Sequence, residues 1–110
     1  MRVGIFEYMD CAHSVKTLDN CDVPHGHTYK AEVMVEGPIK DGMVIDFKAL
    51  RDITKDCMRA YDHKDLSKVF EVPSCENICQ ALFDDIAKRL PGLVSLKLWE
   101  GHNKWSEVQK

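Results

Sequence analysis

The stretch Cys21-Asp22-Val23-Pro24-His25-Gly26-His27 places a thiol and two imidazoles close together, just ahead of a run that reads as a long strand. Residues two apart in a strand point to the same face, so His25 and His27 would project together. Gly26 between them adds no side chain to crowd an ion. Imidazole is the commonest nitrogen ligand of zinc, and two at this spacing can grip one ion. A catalytic zinc site has three protein ligands and one open position. His13 is the natural third ligand, because the first two strands read as a hairpin. Cys21 then has two readings. It is either a further ligand, closing a Cys-His₃ cage, or a thiol whose thiolate is favoured by the nearby cation and which acts as base or nucleophile. Structural zinc usually draws on cysteines in short pairs, and no C-x₂-C pair occurs among positions 11, 21, 57, 75 and 79.

Asp62-His63 is a second candidate. A carboxylate beside an imidazole can hold its tautomer and raise its basicity, the usual support for a general acid or base. A solvated loop pair is the competing reading. Glu100, at the end of an apolar strand, can accept hydrogen bonds from a ligand's N–H groups, or be a charge at a hairpin end. Cys57 lies on a helix stripe and reads as an inert core thiol, as do Cys11, Cys75 and Cys79. His102, in a turn, reads as surface.

The elements that must position these groups follow from periodicity. Residues 1–9 form a strand, with His13 at or near its end, and Lys16 to Pro24 is a polar loop carrying Cys21. From His27 to Glu36 the alternation puts Tyr29, Ala31, Val33 and Val35 on one face. Asp46 caps a helix whose stripe is Phe47, Leu50, Ile53, Cys57 and Met58. After a connecting segment from Tyr61 to Val72, Ser74 caps a second helix, with Glu76 near the positive end of its dipole. Its stripe is Ile78, Leu82, Ile86 and Leu90. Val94, Leu96 and Leu98 alternate in a third strand, and Lys104 to Val108 returns as a fourth. The order ββααββ predicts an α+β domain, a four-stranded antiparallel sheet with two helices on one face.

The chain has 110 residues, 45 % of them hydrophobic and 30 % charged, which suits one domain spanning 1–110. Its formal charge of −3 argues against a general binder of nucleic acid or anionic membrane. No stretch approaches the roughly 18 apolar residues of a membrane span. The first residues lack a signal peptide's apolar core, and five cysteines suit a reducing compartment, so the expectation is a cytoplasmic chain with free thiols.

Taken in order, the motifs are Ala12-His13, Cys21-x₃-His25-Gly26-His27, Val44-Ile45-Asp46-Phe47, Asp62-His63-Lys64-Asp65-Leu66, Pro73-Ser74-Cys75-Glu76-Asn77 and Leu98-Trp99-Glu100. Together they resemble the 6-pyruvoyl-tetrahydropterin synthase superfamily, of the tunnelling fold, over nearly the whole chain. The three-residue gap between Cys21 and His25 looks like the 6-carboxy-5,6,7,8-tetrahydropterin synthases of queuosine and archaeosine (7-deazaguanine) synthesis. The 6-pyruvoyl enzymes usually have a longer gap. Members that act as aldolases on dihydroneopterin carry a glutamate near the cysteine position, where this chain keeps Cys21.

The resemblance implies that His13, His25 and His27 bind Zn²⁺, which holds the side-chain hydroxyls of dihydroneopterin triphosphate. It makes Cys21 the proton-abstracting base, and His63, supported by Asp62, a proton relay. Glu100 would anchor the pterin ring, with Ser74 and Cys75 close to its pocket. Lys16, Arg2 and Lys64 are cationic candidates for the triphosphate. The implied reaction yields 6-carboxytetrahydropterin, acetaldehyde and triphosphate, a carbon–carbon lyase reaction. The alternatives are triphosphate elimination to 6-pyruvoyl-tetrahydropterin and a non-catalytic zinc or pterin module. The implied assembly is a homohexamer, a dimer of trimers with sites at subunit interfaces. The chain departs from the pattern at Met9 (usually Phe), Cys11 (Ala), Tyr61 (Leu), Ser67 (Asn), Ser74-Cys75 (Thr-Ser or Thr-Thr) and Gly101 (Thr).

Overall fold

The computed structural model describes residues 1–13 and 25–110. Strands β1 (Arg2–His13) and β2 (His25–Glu36) pair antiparallel along their whole lengths, Arg2 opposite Glu36 and His13 opposite His25. Helices α1 (Phe47–Met58) and α2 (Cys75–Ala87) follow, with a short 3₁₀ turn at Leu66–Lys68 between them. Strands β3 (Leu93–Glu100) and β4 (Lys104–Gln109) complete an antiparallel sheet of order β1-β2-β3-β4. The ββααββ order and the two helices on one face of the sheet agree with the sequence pattern.

The pleat decides what is buried. Odd-numbered positions of β1 and β2 face the helices: Met9, Cys11, Tyr29, Ala31, Val33 and Val35 are buried. Even-numbered Phe6, Tyr8 and Met34 lie on the other face and are exposed, as side chains alternate along a strand. Strand β1 runs four residues past the expected 1–9 because its alternation persists through polar residues. Cys11 packs into the core, while the even-numbered Asp10 accepts a hydrogen bond from the Thr28 hydroxyl at 2.7 Å across the register.

Both helix starts are capped as expected. Asp46 accepts from the Lys48 N–H at 3.0 Å and Ser74 from the Asn77 N–H at 3.1 Å, which satisfies donors the first helical turn leaves unpaired. Of the expected stripe, Ile78, Leu82 and Ile86 are buried on α2 and Cys75, Cys79 and Phe83 join them; α2 ends at Ala87, so Leu90 is buried from the segment beyond the helix rather than on it. In α1 the buried line is Leu50, Thr54 and Met58. Thr54 enters an apolar layer because its hydroxyl donates to the Leu50 carbonyl at 2.8 Å, so no donor is stranded. Phe47 differs from expectation: it opens the helix beside edge residues of β1 and is 55 % exposed.

Strand β3 corrects a second expectation. Met34 pairs with Ser95 but Val35 pairs with Leu93, so Val94 is an extra residue in a bulge. Leu93 and Leu96 are therefore fully buried, and Val94 is only half-buried. The β3–β4 turn needs Gly101, whose φ of +70° lies in the left-handed region.

Replacing Leu50 by alanine should cost about 2–5 kcal/mol by emptying a buried site. Phe47→Ala should cost under about 1 kcal/mol. Urea unfolding midpoints compare the two; equal losses would contradict the burial pattern.

Candidate functional site

The β1–β2 pairing ends at the histidines. His13 and His25 are direct register partners, and His27 lies two residues on, opposite Cys11. Directly opposed residues in an antiparallel pair have Cα atoms about 4.5–5.5 Å apart, and alternate residues of one strand lie on one face about 6.5–7 Å apart. Positions 13, 25 and 27 thus belong to one odd-numbered series at one end of the sheet. That placement fits an ion held by three imidazoles. Gly26 belongs to the even series, so its missing side chain does not bear on that face. Among the described residues, a Cβ built there would meet only the Cys11 carbonyl, at an ordinary 3.8 Å.

Among the described residues, no three His, Cys, Asp or Glu side chains converge as a metal cage. His27 Nε2 lies 3.1 Å from Glu100 Oε1, with both side chains largely covered. Glu100 ends β3 opposite Tyr29, and strand pairing rather than sequence proximity brings it to His27. Cys21, read as base or ligand, lies outside the described residues.

The second candidate pair comes to the same end of the sheet. After α1 the chain turns back along the outer edge of β1. The His63 N–H donates to the Asp10 carbonyl at 2.6 Å, the Ala12 N–H donates to the Lys64 carbonyl at 3.0 Å, and Ala12 bridges Asp65 in parallel. The Asp62 carboxylate accepts from the Asp10 N–H at 2.9 Å, and its Oδ1 lies 3.0 Å from His63 Nδ1. With Nδ1 turned to that carboxylate, Nε2 is the ring nitrogen left for other partners. His63 is 78 % exposed along its side chain and has φ of +59°, a left-handed conformation uncommon outside glycine. An open depression lined by Cys11, His27, Thr28, His63 and Lys64 joins the two groups.

Ser74 and Cys75 lie at the start of α2. The Ser74 hydroxyl is engaged as the cap, and the Cys75 thiol lies 3.4 Å from the Leu98 carbonyl and 3.2 Å from the Ser106 hydroxyl. Residues unforeseen as site components are Asp10, Thr28 and Tyr61. The Cys11 thiol donates to the Tyr61 carbonyl at 3.3 Å. The available signal was the alternation of Asp10-Cys11-Ala12, which extends β1 and puts Asp10 opposite Thr28.

Burial pushes the Cys11 thiol up to about 12, with the Asp62 and Asp10 carboxylates adding to the effect. Burial also raises Cys75 to about 11, against the opposing hydrogen bond from Ser106, and Cys79 moves the same way for the same reasons. These thiols are inert core groups, as expected from sequence, because a thiol that stays protonated is a poor nucleophile.

A family model described as 6-pyruvoyl tetrahydropterin synthase matches residues 3–110. The putative 6-carboxy-5,6,7,8-tetrahydropterin synthase of Archaeoglobus fulgidus is 33 % identical over 111 residues, covering 100 % of this chain and 96 % of that protein. The dihydroneopterin monophosphate aldolase of Pyrococcus furiosus is 41 % identical over 103 residues, covering 91 % and 90 %. The solved structure of the Caenorhabditis elegans 6-pyruvoyl tetrahydropterin synthase superposes with a TM-score of 0.90 at 18 % identity, covering 100 % of this chain and 95 % of that one, a likeness of fold.

Native protein at pH 8 should leave Cys11, Cys75 and Cys79 unalkylated by iodoacetamide, and unfolding should open all three, as read by mass spectrometry. The raised Cys75 value also sets a sign. Between about pH 9 and 11 the unfolded chain loses the thiol proton and the folded chain keeps it, so stability falls as pH rises. The slope is at most about 1.4 kcal/mol per pH unit for that thiol, and Cys75→Ala should flatten it.

Proposed function

The chain belongs to the 6-pyruvoyl tetrahydropterin synthase family, and we propose that it is a zinc-dependent lyase acting on the C6 side chain of 7,8-dihydroneopterin triphosphate. The observation that carries this reading is the strand register. One pairing sets His13 opposite His25, sets His27 beside them, and lays the Asp62–His63 turn on the same edge.

His13, His25 and His27 would hold the zinc. Its chemistry, when bound, is to polarise a substrate oxygen and stabilise negative charge that develops there. Cys21 takes a proton from the side chain as thiolate. His63 moves a proton at Nε2, with its Nδ1–H fixed on Asp62. Glu100 accepts hydrogen bonds from the pterin's amino and N–H edge, a two-point contact that orients the ring. It is close enough to His27 to register that ring against the histidine end.

The first reading of the product is 6-pyruvoyl-tetrahydropterin, formed with release of triphosphate. The match to the family model across residues 3–110 supports it. This reaction balances without an outside oxidant, because two side-chain carbons are oxidised to ketones while the C6–N5 double bond of the ring is reduced and the terminal side-chain carbon, losing triphosphate, is reduced to a methyl group. Carbon–carbon cleavage to 6-carboxytetrahydropterin with acetaldehyde is the second reading. It is favoured by the three-residue gap after Cys21 and by the full-length likeness to the Archaeoglobus protein. The name of the Pyrococcus relative also denotes carbon–carbon cleavage, on a monophosphate. The outer positions of β1 and β4 in the sheet and the exposed Phe6, Tyr8 and Trp105 on the face away from the helices support assembly with further copies of the chain.

Incubation with 7,8-dihydroneopterin triphosphate decides among these. Triphosphate without acetaldehyde gives the first reading, and acetaldehyde gives the second. No turnover of this substrate or its monophosphate leaves a non-catalytic binding module. Two variants examine the roles. Cys21→Ala should keep its zinc and lose about 10²-fold or more in turnover; loss of zinc would make the thiol a ligand. His27→Ala should lose zinc by elemental analysis, and undiminished zinc would overturn the three-histidine assignment.

A further inference from the structure

We propose that Tyr61 is the positioning residue that seats the Asp62–His63 pair, gripped at its carbonyl by the Cys11 thiol of β1 and at its hydroxyl by Asp85 of α2. The inference rests on the functional reading above for what the pair does, and on geometry alone for how it is held.

The turn carrying the pair runs from Tyr61 to Lys64. The Tyr61 carbonyl closes it by accepting the Lys64 N–H at 3.3 Å, and the same oxygen receives the Cys11 thiol at 3.3 Å from the sheet side. The Tyr61 hydroxyl reaches the other layer and donates to Asp85 Oδ2 at 2.7 Å, and its ring packs against Phe70 with centroids 5.7 Å apart. One residue therefore ties the turn to both the sheet and α2.

The tie matters because His63 sits at φ of +59°, a conformation that costs free energy for any residue with a Cβ and persists only where its surroundings over-determine it. Loosening Tyr61 lets that strain relax. The His63 N–H then leaves the Asp10 carbonyl, and Asp62 leaves the Asp10 N–H. The imidazole itself is mostly exposed. The two ends of the grip are also positions where the chain departs from the pattern it resembles. An alanine at 11 has no donor, and a leucine at 61 has no hydroxyl.

The test uses Tyr61→Phe, Cys11→Ala and Cys11→Ser, with amide hydrogen exchange read by NMR alongside kcat and KM for 7,8-dihydroneopterin triphosphate. Tyr61→Phe and Cys11→Ala should each speed exchange of the Asp10 and His63 amides about fivefold, the worth of one hydrogen bond, with the Leu96 and Leu98 amides unchanged. They should lower kcat by a similar factor at constant KM, and Cys11→Ser, which keeps a donor, should restore most of both. Unchanged exchange overturns the proposal, as does changed exchange with wild-type kcat. A Cys11→Ser variant no better than Cys11→Ala also overturns it, since the effect would then be one of volume. Should Tyr61→Phe fail to fold, Asp85→Asn repeats the test of the hydroxyl grip. If the wild-type protein turns over no dihydroneopterin phosphate, the functional reading falls, and the exchange rates alone uphold or overturn the seat.

Discussion

The antiparallel pairing of β1 with β2 is the constraint on which the rest depends. It joins twelve residues to twelve with no shift between Arg2–Glu36 and His13–His25. Because strand side chains alternate, a slip of one residue in either strand would carry that strand's buried set, Met9 and Cys11 or Tyr29 and Val33, out of the core. Burial thus fixes the register, and the register fixes the site. The cost of a slip is borne by the hydrophobic core, far from the residues whose chemistry benefits.

The helical layer acts on the site through this same edge. Helix α1 packs against β1, and α2 against β3 and β4. The segment after α1 is too polar to pack as a helix, so its backbone finds partners on the last residues of β1. Asp62 and His63 are brought to the sheet end by backbone hydrogen bonds, and Glu100 by strand pairing. A turn and a strand end are brought to one place by the same kind of bond, the backbone hydrogen bond.

Much of this was legible in the chain. The alternation from Tyr29 to Val35, the capping residues Asp46 and Ser74 and the apolar spacing of α2 are local signals that tertiary packing did not override. The histidine pair and Asp62-His63 stood out because their residue types are rare together. What was not legible depended on distant partners. The end of β1 was hidden because Asp10 is polar, and its justification lies at Thr28, eighteen positions away. The bulge at Val94 exchanges Leu93 for Val94 on the buried face, and no local composition announces it. Thr54 and Phe47 trade places between core and surface because hydroxyl satisfaction and position at a sheet edge outweigh residue type. The contact between Cys11 and Tyr61 joins residues fifty apart, so sequence could mark each as unusual without connecting them.

The hairpin of β3 and β4 has an optical consequence. Trp99 and Trp105, the chain's two tryptophans, are register partners on the face away from the helices, with rings 6.2 Å apart. The Lys97 ammonium sits 4.7 and 4.0 Å from their ring centroids. All intrinsic indole emission therefore originates at one address, with a cation beside both emitters. Emission will report what approaches or leaves that face of the last two strands, and will say little about the helix-covered side, where tyrosine and an introduced label would have to speak instead.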